Sequence, residues 1–141
     1  MASVHDVAAY ILGRSGKMTA MKLEKLVYYA QAWTLVWDEK GLFRDRIEAW
    51  ANGPVVPSLY SRHKGMFEVK EWDGNPGALT AEQRSSIDAV VDFYGKMTSQ
   101  QLSDLTHRED PWRDARVGLA TGERGNSEIT RAAMHEYYSS L

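Results

Sequence analysis

One long amphipathic segment limits the folds open to this chain of 141 residues more than any other feature. Between Thr19 and about Trp37 the apolar residues recur at intervals of three and four, which predicts a helix with one apolar side. That side consists of Leu23, Leu26, Ala30, Trp33 and Trp37, and Val27 and Tyr28 widen it. A coiled coil needs more heptads than the roughly two that this pattern spans. We therefore predict a central helix that other elements surround.

Capping residues predict further helices before and after this segment. A serine, threonine or aspartate at a helix start accepts hydrogen bonds from the free amides of the first turn, and an acid or amide three residues later completes the motif. Proline also suits the first turn because it has no amide hydrogen. The predicted starts are Ser3, Pro57, Thr80, Thr98, Thr130 and Asp110, the last as a cap before Pro111.

Two short stretches alternate in the manner of strands, residues 47–51 and residues 66–72. The first is followed by Asn52-Gly53-Pro54, which predicts a turn. The chain contains no internal repeat, linker or low-complexity tract, and its length fits one domain. We therefore predict a mainly α protein, a single compact helical domain over residues 1–141 with a small β hairpin or short strands.

The chain has no cysteine, which excludes disulfides, thiolate metal sites and cysteine nucleophiles. Its start lacks the basic-then-apolar pattern of a signal peptide. No apolar run approaches the roughly 20 residues that a membrane span requires. We therefore expect a soluble, cytoplasmic protein without membrane association.

The charge balance gives no support to nucleic-acid binding. Seventeen basic and 19 acidic residues leave a net charge of −2, whereas nucleic-acid binders usually carry a basic patch. We expect Lys17, Lys22 and Lys25 to lie solvated on the polar side of the long helix. Residues 71–141 carry 12 acidic and 7 basic side chains. Either this excess is neutralised within the fold, or it forms an acidic face that steers a basic partner.

The best catalytic grouping in the sequence is Asp104, His107, Glu109 and Asp110. A histidine beside carboxylates can act as a general base, so a small hydrolase that uses His107 and Asp110 is an alternative function. It requires a pocket in which His107 contacts a carboxylate and faces solvent. No nucleophile elbow or phosphate-binding glycine loop accompanies the group. The four histidines show no zinc spacing, and we predict neither a metal nor a cofactor.

The stretch from Ile47 to Gly65 contains two large aromatic residues, Trp50 and Tyr60, among prolines that restrict the backbone. Rigid aromatic residues are frequent anchors of protein interfaces. They are equally suited to cover a hydrophobic core. Periodicity does not separate these two interpretations.

Three sequence blocks, in order, resemble the Panacea domain family. Residues 21–33 resemble its K-L-x-K-L-x-Y-Y-A-Q-x-W signature. Residues 47–60 resemble I-E-A-W-x-x-G-P-V-V-P-x-x-Y, and residues 102–112 resemble L-S-x-L-T-H-x-x-x-P-W. Ile129 and Tyr137-Tyr138 agree with the end of the family pattern, so the resemblance extends over nearly the whole chain.

This resemblance implies an antitoxin of a toxin–antitoxin pair that neutralises its toxin by direct binding, and it implies no enzymatic activity. The expected partner is a cognate toxin encoded beside this chain. Some members act as proteolytic adapters, which would add a AAA+ protease as a partner, and others are phage- or genomic-island-associated proteins. A phage or mobile-element accessory protein that binds a host factor is therefore an alternative. Homo-oligomerisation stays open.

The second and third blocks supply the predicted contact surface, whose residues either touch the partner or support those that do. These residues are Trp50, Gly53, Pro54, Val55, Pro57, Tyr60, Thr106, His107, Pro111 and Trp112.

Overall fold

The computed structural model describes residues 1–141 and contains seven α-helices and four short strands. The helices are α1 (Val4–Ser15), α2 (Ala20–Asp38), α3 (Pro57–His63), α4 (Ala81–Tyr94), α5 (Ser99–His107), α6 (Asp110–Ala115) and α7 (Arg131–Ser139). The strands are β1 (Met18–Thr19), β2 (Glu48–Trp50), β3 (Gly53–Val55) and β4 (Glu68–Val69). The predicted mainly α class with short strands is confirmed.

Helix α2 is the centre of the fold, as its apolar pattern predicts. Thirteen of its 19 residues are buried, and α4 and α7 pack along it most extensively, with α1, α5 and β3 around the rest. Leu23, Leu26 and Ala30 lie in the core, whereas Trp37 at the far end is 48% exposed. A helix surrounded on several sides buries polar residues as well, and these determine the site described below.

Most helix starts follow from their caps. The side chains of Ser3, Thr80 and Thr98 accept bonds from the first helical turn, and the residue three positions later closes each capping box. The prediction that Asp110 caps α6 is wrong. Glu109 occupies the cap position without capping, because its carboxylate turns into the core and accepts a hydrogen bond from the hydroxyl of Tyr29.

The strands form two separate antiparallel pairs. Strands β2 and β3 make the predicted hairpin, with Trp50 opposite Gly53. The stretch 66–72 contributes only the two residues of β4, which pair with β1. No strand was predicted at Met18–Thr19, since two residues are too few to show alternation. None of the helices combines the length and hydropathy needed to cross a bilayer.

Candidate functional site

Glu24 of α2 holds both ends of the short helix α3. Its buried carboxylate accepts a hydrogen bond from the amide of Val56 (2.9 Å), the residue before α3. The other carboxylate oxygen lies 2.7 Å from Nε2 of the buried His63, the last residue of α3. Val56 has no side chain that could cap the helix, so Glu24 anchors this segment from outside it.

Lys25, the next residue of α2, lies beneath the turn of the hairpin. It is 1% exposed, so the expectation of a solvated lysine here is wrong. Its Nζ donates to the carbonyl of Pro54 (3.3 Å). Desolvation lowers the pKa of Lys25 to about 8, although the charge of Glu24 acts in the opposite direction. The chain therefore holds a buried cation directly under the second sequence block.

Gly53 makes room for this lysine. A Cβ atom at Gly53 would lie 2.5 Å from Cε of Lys25 and 3.2 Å from Oγ1 of Thr106. The backbone at Gly53 also has a φ of +125°, a conformation that strains residues with a side chain. Both observations explain why glycine stands at this position of the turn.

Helices α5 and α6 bring the third sequence block against the second. The rings of His107 and Trp112 stack in parallel with their centroids 3.9 Å apart. Nε1 of Trp112 donates to the carbonyl of Trp50 (2.8 Å), and Thr106 lies buried beside Gly53. Two segments about 50 residues apart in the sequence thus form one region of the structure.

An open groove follows this region, and we call it the aromatic groove. One end is a cleft of about 680 Å³ that Trp50 and Tyr60 line, and their rings meet edge to face at 4.8 Å. The other end is a cleft of about 390 Å³ lined by Phe67, Lys25 and His107. The two clefts adjoin each other, since Met21 and Asn52 line both.

The rim of the aromatic groove presents apolar side chains to solvent. Phe67 is 78% exposed and its neighbour Met66 is 53% exposed, and both line the smaller cleft. Exposed aromatic and methionine side chains beside a groove are typical of protein-binding surfaces.

The groove also differs from the rest of the surface in charge. Neither cleft is lined by an aspartate or glutamate, whereas Lys25 and Arg124 are both present. A third cleft, between α6 and α7, has the opposite character. Its charged residues are all acidic: Asp110, Asp114, Glu128 and Glu136. Part of the excess of acidic residues in the C-terminal half therefore lies around a cleft that is separate from the aromatic groove.

The geometry gives no support to the hydrolase alternative. His107 forms no ion pair with Asp104 or Asp110, and its Nε2 is buried without a hydrogen-bond partner. Asp110 pairs instead with Arg113 on the surface. Desolvation lowers the pKa of His107, with the Asn52 carbonyl acting in the opposite direction. His107 therefore lacks the carboxylate contact that the hydrolase alternative requires.

No group of three or more histidine, aspartate or glutamate side chains converges at distances suited to a metal ion. Two histidines bond to single carboxylates. His63 pairs with Glu24 in the interior, and His135 pairs with Glu39 at the surface (2.9 Å). His5 accepts a hydrogen bond from the indole nitrogen of Trp72 (3.1 Å).

The ten predicted contact residues divide into two sets. Those that are buried, and so can only support a contact surface, are Gly53, Pro54, Val55, Thr106 and Pro111. Those that keep part of their surface exposed are Trp50, Pro57, Tyr60, His107 and Trp112. Among the exposed set, Trp50, Tyr60 and His107 line the aromatic groove.

The chain matches a known protein family. Residues 23–113, more than half of the chain, match the family described as "Antitoxin SocA-like, Panacea domain". The chain belongs to this family. The matched span begins in α2 and ends in α6, so it contains Lys25, the hairpin, Phe67 and the His107–Trp112 stack. No curated protein and no solved structure matches the chain.

The structure gives physical roles to polar residues of the Panacea signature in α2. Gln31 accepts from the amide of Leu42 (2.7 Å) and donates to the carbonyl of Phe43 (2.9 Å), which fixes the loop after the helix. Like Lys25, which the signature also specifies, Gln31 bonds to the backbone of a segment outside the helix, and Glu24 does the same from a position that the signature leaves open. The signature therefore describes a helix that organises irregular segments through buried polar contacts.

A second polar cluster of this Panacea domain joins α2 to α7. Glu109 accepts hydrogen bonds from the hydroxyls of Tyr29 (2.7 Å) and Tyr138 (2.8 Å), and the Tyr28 hydroxyl lies 3.0 Å from that of Tyr138. Desolvation raises the pKa of Glu109, and the two tyrosine bonds act in the opposite direction. The ring of Tyr29 stacks on that of Tyr94 at 4.0 Å.

Several residues of the aromatic groove were not predicted from the sequence. Met21, Met66 and Phe67 lie outside the second and third blocks, and Arg124 lies in the loop before α7. Lys25 carried a signal, since it is one of the residues quoted for the family signature. No sequence signal marked Phe67, because nothing in a short strand-like stretch distinguishes a phenylalanine that binds a partner from one that does not.

Proposed function

We propose that this Panacea-family protein is an antitoxin that binds its cognate toxin through the aromatic groove. The observation that supports this most directly is the convergence of the second and third sequence blocks on one open groove with exposed aromatic side chains. The proposed activity is recognition of another polypeptide, without a catalysed reaction.

The exposed rim of the groove is the first argument for a protein partner. Phe67 and Met66 expose most of their apolar surface to water, which is unfavourable by about 25 cal/mol for each Å² that a partner could cover. Large aromatic anchors such as Trp50 and Tyr60 commonly carry much of the free energy of a protein interface.

The rigidity of the groove wall is the second argument. Glu24 anchors both ends of α3, which carries Tyr60, and the indole of Trp112 anchors the carbonyl of Trp50. A wall that is already ordered loses little conformational freedom when a partner binds. Little of the binding free energy is therefore lost in ordering the aromatic anchors.

We further propose that residues 1–141 act in the cytoplasm as one Panacea-type unit. Helices α1 and α7 lie outside the matched residues 23–113. Both pack on α2, and Tyr138 of α7 shares the Glu109 carboxylate with Tyr29 of α2. The matched segment therefore depends on its flanking helices for part of its core.

A pair of exposed phenylalanines provides the test. Phe67→Ala removes an exposed side chain of the groove, and Phe93→Ala removes a side chain of the same type that is 72% exposed on α4, away from the groove. Each variant is co-expressed with the protein encoded beside this chain, and growth and binding affinity are measured.

We expect the wild-type chain and Phe93→Ala to restore growth. Phe67→Ala should bind about fivefold or more weakly, because truncation of an interface anchor costs about 1 kcal/mol or more. Equal affinity of the two variants would show that the groove is not the contact surface. A neighbouring protein that is harmless, or whose toxicity this chain does not change, would contradict the antitoxin function and favour a host-factor partner.

The same cells distinguish masking of the toxin from delivery to a AAA+ protease. If the protein masks the toxin, the half-life of the toxin stays the same or lengthens in its presence. If it is an adapter, the half-life shortens, and deletion of the protease restores it.

A further inference from the structure

We propose that the smaller cleft of the aromatic groove contains a subsite, formed by Lys25 and His107, that binds the carboxylate of an aspartate or glutamate side chain of the partner protein. This inference rests on the proposed function for its partner, but the subsite belongs to this chain and can be tested alone.

The first observation is unused hydrogen-bonding capacity in the wall of the cleft. The ammonium of Lys25 has three N–H groups and makes one hydrogen bond, at 3.3 Å, although the side chain is 1% exposed. Nε2 of His107 is buried and makes none. Buried polar atoms without hydrogen-bond partners are rare in folded proteins, so each one requires a structural or functional explanation.

Four of the other polar side chains of this cleft already have partners within the chain. The hydroxyls of Thr19 and Ser99 bond to each other. Gln100 donates to Asp104, and Ser103 donates to the carbonyl of Asn52 (2.6 Å). Lys25, His107 and the exposed side chain of Asn52 are thus the polar groups of the cleft with capacity to spare, and among them Lys25 and His107 are the ones whose polar atoms are buried.

The positively charged residues of the groove favour an anionic ligand. No acidic side chain lines either cleft, although the chain has 19 acidic residues. A carboxylate entering here therefore meets an ammonium in a cleft without acidic lining residues, and the nearby buried carboxylate of Glu24 is already bonded to Val56 and His63. A charge-assisted hydrogen bond to an ammonium is roughly twice as strong as a neutral one. Burial lowers the pKa of His107 and the Asn52 carbonyl acts in the opposite direction; a bound carboxylate would add to that effect and favour the protonated ring, in which both nitrogens are donors.

The scale of the site favours a single acidic side chain of a protein. The cleft is about 390 Å³, and the groove contains only two cations, Lys25 and Arg124. A nucleic acid requires a stripe of cations along its backbone. The adjoining Phe67 and Met66 offer apolar surface to the residues that flank an acidic side chain in a polypeptide.

The first test uses the isolated protein and no toxin. Capped glutamate (N-acetylglutamic acid N-methylamide) and the matched capped glutamine are titrated into labelled protein at constant ionic strength. The NMR signals of the His107 ring nitrogens and of the Lys25 side chain are followed. We expect a saturable shift with capped glutamate in the millimolar range, and a response to capped glutamine at least fivefold weaker.

Two lysine variants provide the control for this titration. Lys25→Met should abolish the shift at His107. Lys22→Met should leave it unchanged, because the Nζ of Lys22 bonds to the carbonyl of Gly95 (2.7 Å) and Lys22 lines neither cleft. No saturable response, or equal responses to the glutamate and glutamine compounds, would overturn the subsite.

The second test uses the complex with the neighbouring toxin. Lys25→Met and His107→Gln should each weaken binding about thirtyfold or more, as the loss of one member of a buried charge pair does. One aspartate or glutamate of the toxin, changed to its amide, should give the same loss and no further loss when combined with Lys25→Met. Binding by the wild type and equal binding by Lys25→Met would overturn the subsite and leave the antitoxin function standing. Absence of binding by the wild type would contradict the antitoxin function, and the titration would still decide the subsite.

Discussion

Replacement of Lys25 by methionine should make the protein more stable at neutral pH, although it removes a residue of the proposed site. Lys25 is fully buried and its ammonium has one long hydrogen bond, to the carbonyl of Pro54. Methionine has a similar length and no charge, so it can occupy the same space beneath Gly53. The wild-type protein therefore retains a buried charge that its fold does not need.

The size of the effect follows from the pKa of Lys25. Burial lowers it from 10.5 to about 8, and each factor of ten in the protonation constant corresponds to about 1.4 kcal/mol. The charged lysine therefore costs the folded state about 3 kcal/mol at pH 7. Methionine removes this cost but leaves the Pro54 carbonyl without its donor, which costs about 1–2 kcal/mol. The net gain in the free energy of unfolding is about 1–2 kcal/mol.

The gain should depend on pH in a defined direction. A base whose pKa is lowered by folding costs stability below its folded pKa, and the cost fades as pH rises toward the unfolded pKa of 10.5. The wild type should therefore gain about 2 kcal/mol relative to Lys25→Met between pH 7 and pH 9.5. All other titrating groups are shared by the two proteins, so their effects largely cancel in the difference.

Urea unfolding of both proteins at pH 7, 8.5 and 9.5, followed by circular dichroism, measures this difference, and Lys22→Met serves as the control. A Lys25→Met variant that is less stable at pH 7 by more than about 1 kcal/mol would show that the ammonium has stronger partners than the structure shows. A difference independent of pH would show that Lys25 titrates normally and is accessible to water.

Three further substitutions, one of them a control, test the supports of the groove and of the core. Gly53→Ala should destabilise the fold by about 2–5 kcal/mol in urea unfolding, since it combines about 1–2 kcal/mol of backbone strain with overpacking against Lys25. Gly65→Ala, where φ is +84° and nothing lies within 4 Å of a Cβ, should cost only the strain, and equal losses for the two would refute the close contact. Tyr29→Phe removes a hydrogen bond to Glu109 and should cost about 1–3 kcal/mol at pH 7. That hydrogen bond lowers the pKa of Glu109, so the cost of Tyr29→Phe should shrink as pH falls and the carboxyl becomes protonated. A pH-independent cost would show that Glu109 is already neutral at pH 7.

Local signals in the sequence were sufficient for most helix starts and for the class of the fold. The bonds of a cap are made within one helical turn, so Ser3, Thr80 and Thr98 predict their helices without knowledge of the rest. Asp110 shows the limit of this reasoning. An aspartate directly before a proline is suited to a cap. In the structure, however, Glu109 occupies the cap position, one residue earlier, and its carboxylate bonds to Tyr29 in the interior.

The environment of Lys25 was not predictable from periodicity. The apolar stripe of α2 indicates which side is most hydrophobic, and it says nothing of the elements that cover the remaining sides. Burial of Lys25 results from the hairpin, 29 residues further along the chain, which covers that side of the helix. The groove has the same origin, because β3, α5 and the Met66–Phe67 stretch meet only in the folded chain.

The most direct test of the central claim is hydrogen–deuterium exchange of this protein, free and in complex with the toxin encoded beside it. Binding through the aromatic groove predicts slower exchange in residues 50–60, 64–68 and 103–107, and unchanged exchange on the exposed side of α4 around Phe93. Protection confined to the acidic cleft between α6 and α7, with the groove exchanging as in the free protein, would contradict the account.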